Sequence, residues 1–103
     1  MNRLLLFFLL FFSSYLLQAQ QDLKGQVVNK EQKPIPFATV VLMHPKDSIM
    51  KFFGITNQQG FYELKRVKEG DYLMQFSFSG MKTQYQDIRI PFANGQLAVM
   101  TLE

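Results

Sequence analysis

The chain has 103 residues, no cysteine, no tryptophan, a single histidine and a formal net charge of +3. Without cysteine there is no disulfide and no thiolate metal ligand, and the charge is too scattered to make the basic stripe that nucleic-acid binding needs. Lys65, Arg66 and Lys68 form the one dense basic spot, and Glu63, Glu69 and Asp71 surround it, so it reads as a solvated strand end.

The segment MNRLLLFFLLFFSSYLLQAQ opens the chain with Arg3, an apolar run from Leu4 to Phe12 and a softer tail ending at Ala19. This is the layout of a secretory signal peptide, residues 1–19, cut after Ala19. From Leu4 to Leu17 there are fourteen residues, short of the roughly 20 apolar residues that span a bilayer. The remaining chain, 20–103, is expected to be one small domain. It carries ten Lys or Arg against eight Asp or Glu, a net charge of +2.

From Leu23 onward a period of two dominates, the signature of strands with one buried face. LKGQVV puts Leu23, Gly25 and Val27 on one side. NKEQKP interrupts with polar residues and Pro34, which predicts a hairpin connection. FATVVLM is rich in β-branched residues, with Ala38, Val40 and Leu42 on one face and Thr39 and Val41 on the other. HPKDS is a loop. IMKFFGIT, Ile49 to Thr56, predicts a third strand. Asn57 to Gly60 then turns the chain back as a hairpin corner, with Gly60 free to take positive φ.

FYELKRV is a fourth strand with Tyr62 and Leu64 on one face and Glu63 and Lys65 on the other. KEG is a tight turn. DYLMQFSFSG alternates most cleanly, with Tyr72, Met74, Phe76 and Phe78 sharing a face, and Gly80 ends it. MKTQYQDIRI is a sixth strand whose phase stays open, because Tyr85 and Ile88 cannot both point inward without a bulge. PFANG connects to QLAVMTLE, a seventh and terminal strand. No segment after Gln20 shows a sustained helical stripe. Seven short strands with turn signals predict an all-β sandwich or barrel, and two sheets packed face to face bury both greasy faces.

The chemistry-bearing residues are few. His44, Asp47 and Ser48 contain the ingredients of a nucleophilic triad, but one five-residue loop gives them no room for the required mutual geometry. Zinc has one histidine and no spacing signal. Calcium would find Asn57 flanked only by the neutral Gln58 and Gln59. Glu69 and Asp71 flank Gly70 as ordinary turn residues. No catalytic residue, metal site or cofactor is expected. Phe52 and Phe53 are adjacent and therefore point to opposite faces, and Phe61 sits beside Tyr62. Phe52, Phe53 and Phe61 are the candidates for an interaction surface, while Asn57, Gly60, Gly70 and Gly80 are the structural turn residues.

Taken in order, four motifs resemble one family. They are Gly25-Gln26-Val27, the segment from Pro34 through Pro36 and Ala38 to Val40, the turn TNQQGFYEL from Thr56 to Leu64, and Gly70-Asp71-Tyr72 with a later Ser79-Gly80-Met81. The set is similar to the carboxypeptidase regulatory-like domains, and it covers Leu23 to Ile90. The chain departs from the family pattern by lacking a proline between Val67 and Gly70 and by carrying Met81 where tyrosine is frequent. The resemblance implies a transthyretin-like (prealbumin-like) Greek-key sandwich of seven strands. It also implies the setting of the N-terminal domains of Bacteroidetes TonB-dependent receptors and other outer-membrane proteins. The expectation is thus an exported, non-catalytic accessory or protein-interaction domain of the cell envelope, in the periplasm or at the outer membrane. It would be a stand-alone or truncated relative of those receptor domains, with an outer-membrane or periplasmic protein as its partner. The alternative is a module that binds a carbohydrate or a peptide through exposed aromatic rings. No nucleic acid is expected.

Overall fold

The computed structural model describes residues 20–103, so the expected signal peptide and its cleavage site lie outside the described residues. Seven strands follow in order: β1 (Gln20–Val28), β2 (Thr39–Met43), β3 (Met50–Ile55), β4 (Phe61–Lys68), β5 (Gly70–Ser77), β6 (Gln84–Ile90) and β7 (Met100–Thr101). They form a three-stranded sheet, β4-β1-β7, and a four-stranded sheet, β3-β2-β5-β6. The fold is the expected all-β sandwich of two sheets, with no closed barrel.

Alternation decides which side chains meet between the sheets. Leu23 and Val27 of β1 and Tyr62, Leu64 and Val67 of β4 point in from one sheet. Val40 and Leu42 of β2, Met74 and Phe76 of β5, and Ile88 and Ile90 of β6 point in from the other. Leu64 and Val67 both reach the core despite their odd separation because β4 bulges between them. Arg66 takes φ 54°, the pairing shifts between Gln21 and Leu23, and the Arg66 N–H donates to Asp22 Oδ1 at 2.8 Å. A bulge of this kind adds one residue and restores the phase.

Two connections and the last strand differ from the sequence expectation. Asn57–Gly60 is not a hairpin corner: β3 and β4 belong to different sheets, so the turn carries the chain across the sandwich. Asn57 Oδ1 accepts the N–H groups of Gln59 and Phe61, both at 3.0 Å. The NKEQKP segment does make a local hairpin, with Asn29 N–H donating to Lys33 O at 2.8 Å and Val28 bridging Pro34. It does not pair β1 with β2, which lie in different sheets. The seventh strand is regular only over Met100–Thr101 and runs parallel to β1. Its earlier part is tied to the same neighbour, with Lys24 N–H donating to Gly95 O at 2.9 Å and Leu97 N–H to Lys24 O at 2.8 Å.

The sixth strand needs no bulge. Ile88 and Ile90 turn inward and Tyr85 turns out, 57% exposed. Thr56, the one buried polar residue of the described core, ties the crossover before β2 to the turn after β3. Its hydroxyl donates to Ile35 O at 2.6 Å and accepts the Ala38 N–H at 2.8 Å.

Candidate interaction surfaces

The three phenylalanines singled out in the sequence do not form one patch. Phe52 turns inward, half-buried against the core, with its ring edge-on to Tyr72 at a centroid distance of 6.1 Å. Phe53, its neighbour, is 62% exposed on the outer face of the four-stranded sheet. Phe61 is also exposed, but it belongs to β4 and shares the outer face of the three-stranded sheet with Glu63. Adjacent residues on one strand face opposite ways, and a turn that crosses between sheets sends Phe53 and Phe61 to opposite sides of the molecule.

The outer face of the four-stranded sheet carries the apolar surface. Cross-strand pairing sets Phe53, Val41, Gln75 and Tyr85 in one row, with Ile55, Thr39 and Ser77 in the next. Phe53, Ile55 and Tyr85 are each more than half exposed. Neither row holds a charge. The signal was present in the sequence as apolar residues on both faces of FATVVLM and IMKFFGIT. Alternation alone assigns one such face to the core and leaves the other without a role.

At one end of the same sheet, His44, Asp71 and Tyr72 form the shared wall of two adjoining shallow depressions of about 660 and 550 Å³. The first continues over Asp87 and Arg89, the second over Phe52 and Lys68. Tyr72 donates its hydroxyl to Lys68 O at 2.8 Å, and partial burial raises its pKa. Asp71 Oδ1 lies 3.5 Å from Arg89 Nη1 across the β5–β6 pair, and both side chains are exposed. His44 is occupied in closing its own loop. Its N–H donates to Ile49 O and its carbonyl accepts from the Ser48 N–H, both at 3.0 Å. Its Nδ1 lies 3.3 Å from the Lys46 N–H and 3.5 Å from Asp47 Oδ1. Asp47 Oδ1 also accepts the Ile49 N–H at 3.0 Å. Among the described residues no three His, Cys, Asp or Glu side chains converge as a metal site.

The turn residues have distinct jobs. Gly60 is buried at φ 77°, and a Cβ there would lie 2.5 Å from Val27 O. Gly80 has a similar φ of 80° but open space around it. Gly70 begins β5, with Glu69 alone between it and the end of β4 at Lys68.

Two packed sheets of this strand order, with these glycine corners, define a transthyretin-like sandwich. The chain belongs to the CarboxypepD_reg-like domain family, whose model matches residues 23–103. By family it is a non-catalytic domain, associated at that general level with the bacterial cell envelope. No curated protein matches the sequence. Among solved structures it is similar to a chain of a type II cohesin–X-dockerin complex from Acetivibrio cellulolyticus, with a TM-score of 0.64 and 14% identity over 80% of this chain and 56% of that one. It is also similar to an (S)-allantoin synthase, with a TM-score of 0.55 and 15% identity over 82% of this chain and 41% of that one. A 9R-lipoxygenase from Cyanothece is similar too, with a TM-score of 0.52 and 14% identity over 81% of this chain and 16% of that one. The chain spans little more than half of the longest-covered of these, and the likeness is one of fold.

Proposed function

We propose that this protein is exported, loses residues 1–19, and serves as a protein-interaction domain at the outer membrane or in the periplasm. On this reading it is a relative of the N-terminal domains of outer-membrane receptors, and its partner is an envelope protein. The family match over residues 23–103 carries the reading, and Arg3 followed by the apolar run from Leu4 to Phe12 supports export. Two further observations support it. The outer face of the four-stranded sheet is uncharged over two rows and exposes Phe53, Ile55 and Tyr85 together, and a cluster of exposed apolar residues is the mark of an interaction surface. One of the folds it resembles comes from a cohesin–dockerin complex, itself a protein–protein assembly.

The test is affinity capture from envelope fractions, combined with intact-mass measurement of the exported chain. An N-terminus at or near Gln20 and a partner lost on Phe53→Ser are the expected results. Recovery of the chain from Met1 in the inner membrane would overturn the export half, and a partner that survives every change on the outer face would overturn the interaction half.

A second reading, carbohydrate binding, is favoured by one observation. Tyr85 is exposed directly opposite Gln75 on the neighbouring strand, an aromatic ring beside an amide. Rings supply apolar contact and amides supply directed hydrogen bonds. A glycan panel screened with the wild type and with Tyr85→Ala decides this reading, which requires a glycan whose binding depends on Tyr85.

A further inference from the structure

Each sheet of the sandwich ends in exposed edges, and the edges are not alike. β6 carries Asp87 and Arg89 along its length, β4 carries Glu63, Lys65 and Arg66, and β7 has only two residues. Mid-strand charges and shortness are the usual devices that keep an edge from pairing with another chain. β3 lacks them over Phe52-Phe53-Gly54-Ile55, where no charge or proline occurs. Its one charged residue, Lys51, lies at the end where pairing with β2 becomes irregular, between Leu42 and Met43.

The hydrogen-bond phase of β3 shows which peptide groups are available. The Thr56 N–H donates to Ala38 O, and the Phe37 N–H donates to Thr56 O. Residue 56 thus turns its peptide groups toward β2. In an antiparallel ladder these directions alternate, so Gly54 also faces β2 while Phe53 and Ile55 face the free edge.

We propose that this edge pairs with the β3 edge of a second copy of the chain, antiparallel about a two-fold axis at Phe53. In that register Phe53 faces the partner's Phe53 as a hydrogen-bonded pair on the outer face. Gly54 faces the partner's Phe52 on the inner side, where the Leu64 side chain and the Glu63 carbonyl of its own chain already fill the space a Cβ would take. Ile55 faces the partner's Lys51. The two Lys51 ammonium groups then stand at opposite ends of the interface. A two-fold axis at Lys51 would place them directly opposite each other, an unfavourable like-charge pair. The paired edges join two four-stranded sheets into one continuous sheet and merge their apolar rows into a single platform. A contact of one short strand falls below the roughly 1,200 Å² of total buried area at which stable interfaces begin, so the dimer is reversible and depends on concentration.

The experiment is sedimentation velocity on the exported protein, in the processed form in which the cell leaves it, over a concentration series. The expected result is a monomer–dimer equilibrium. Phe53→Lys and Phe53→Glu should each be monomeric where the wild type is dimeric, since each sets like charges face to face. An equimolar mixture of the two should recover the dimer, because only a residue that meets itself across a two-fold can be rescued this way. Thermal melts of the single variants, unchanged from wild type measured as monomer, keep loss of folding apart from loss of pairing. Gln75→Lys, on the same outer face but away from the edge, should still dimerise. A protein that stays monomeric throughout the series overturns the proposal. So does a dimer that survives Phe53→Lys, a dimer broken by Gln75→Lys, a mixture that fails to recover, or a chain that assembles only with a different protein's strand.

Discussion

The ring of Tyr62 lies across Gly25 in the neighbouring strand, so close that a Cβ on residue 25 would collide with the ring and its hydroxyl. Gly25 is paired directly with Tyr62 between β1 and β4. The ring also packs edge-on to Phe76 of the opposite sheet, with centroids 5.8 Å apart. The aromatic contact therefore bridges the two layers through a gap that glycine leaves open. Gly25→Ala should destabilise the domain by about 2–4 kcal/mol through overpacking of this site, read from urea melts. A loss below about 0.5 kcal/mol would mean that the ring has somewhere else to go.

The same tyrosine carries a cost. Its hydroxyl is buried with no hydrogen-bond partner, and an unsatisfied buried polar group costs about 1–3 kcal/mol. Tyr62→Phe should therefore leave stability unchanged or raise it by about 1 kcal/mol. Burial raises the Tyr62 pKa, whereas the unfolded chain's tyrosine ionises near about 10. Above that pH the unfolded state loses a proton that the folded state keeps, so stability falls as pH rises through the unfolded value. Thermal melts at pH 8 and pH 11 should show a larger drop for the wild type than for Tyr62→Phe. Equal drops would show that Tyr62 does not shape the alkaline limb.

Gly60 and Gly80 provide a matched pair. Both have φ near 80°, but only Gly60 has backbone and proline atoms where a side chain would go. Gly80→Ala should cost about 1 kcal/mol, the left-handed backbone term alone. Gly60→Val should cost distinctly more, about 3 kcal/mol or above, because strain and collision add. Denaturant midpoints of the two variants check the order, and reversal of that order would contradict the packing around the corner.

Thr56 is a cross-tie whose removal should be felt at two crossovers. Thr56→Val keeps the shape but strands the Ile35 carbonyl and the Ala38 N–H in a buried place. The expected loss is about 2–3 kcal/mol. Thr39→Val, on the outer face of β2, should stay within about 0.5 kcal/mol. Circular-dichroism melts of both variants make the comparison.

Phe76 is 1% exposed in the middle of β5 and opposite Val40. Phe76→Ala should cost about 3–5 kcal/mol, a large share of what a domain of this size has. Gln75→Ala, on the other face of the same strand, should cost about 0.5 kcal/mol or less. Equal losses in urea melts would reverse the assignment of faces.

What the amino-acid order determined was the set of strands and their inward faces. Leu23 with Val27, Val40 with Leu42, Tyr62 with Leu64, and Met74 with Phe76 are all legible because side-chain direction alternates locally along a strand. The turns were legible for the same reason. Asn29, Asp47 and Asn57 each bond the backbone two residues on, a property of the side chain itself. Only the tertiary structure decided which sheet each strand joins. Thus Asn57–Gly60 crosses between sheets where a hairpin was expected, and Tyr85 faces outward once β6 is in register with β5. The terminal segment runs parallel to β1, and Phe52 turns in against the core while Phe53 and Phe61 lie on the outer faces of different sheets. A strand's alternation is the same whichever neighbour it bonds. The neighbour is set by hydrogen bonds and packing between residues distant in the chain, and no local period records that choice.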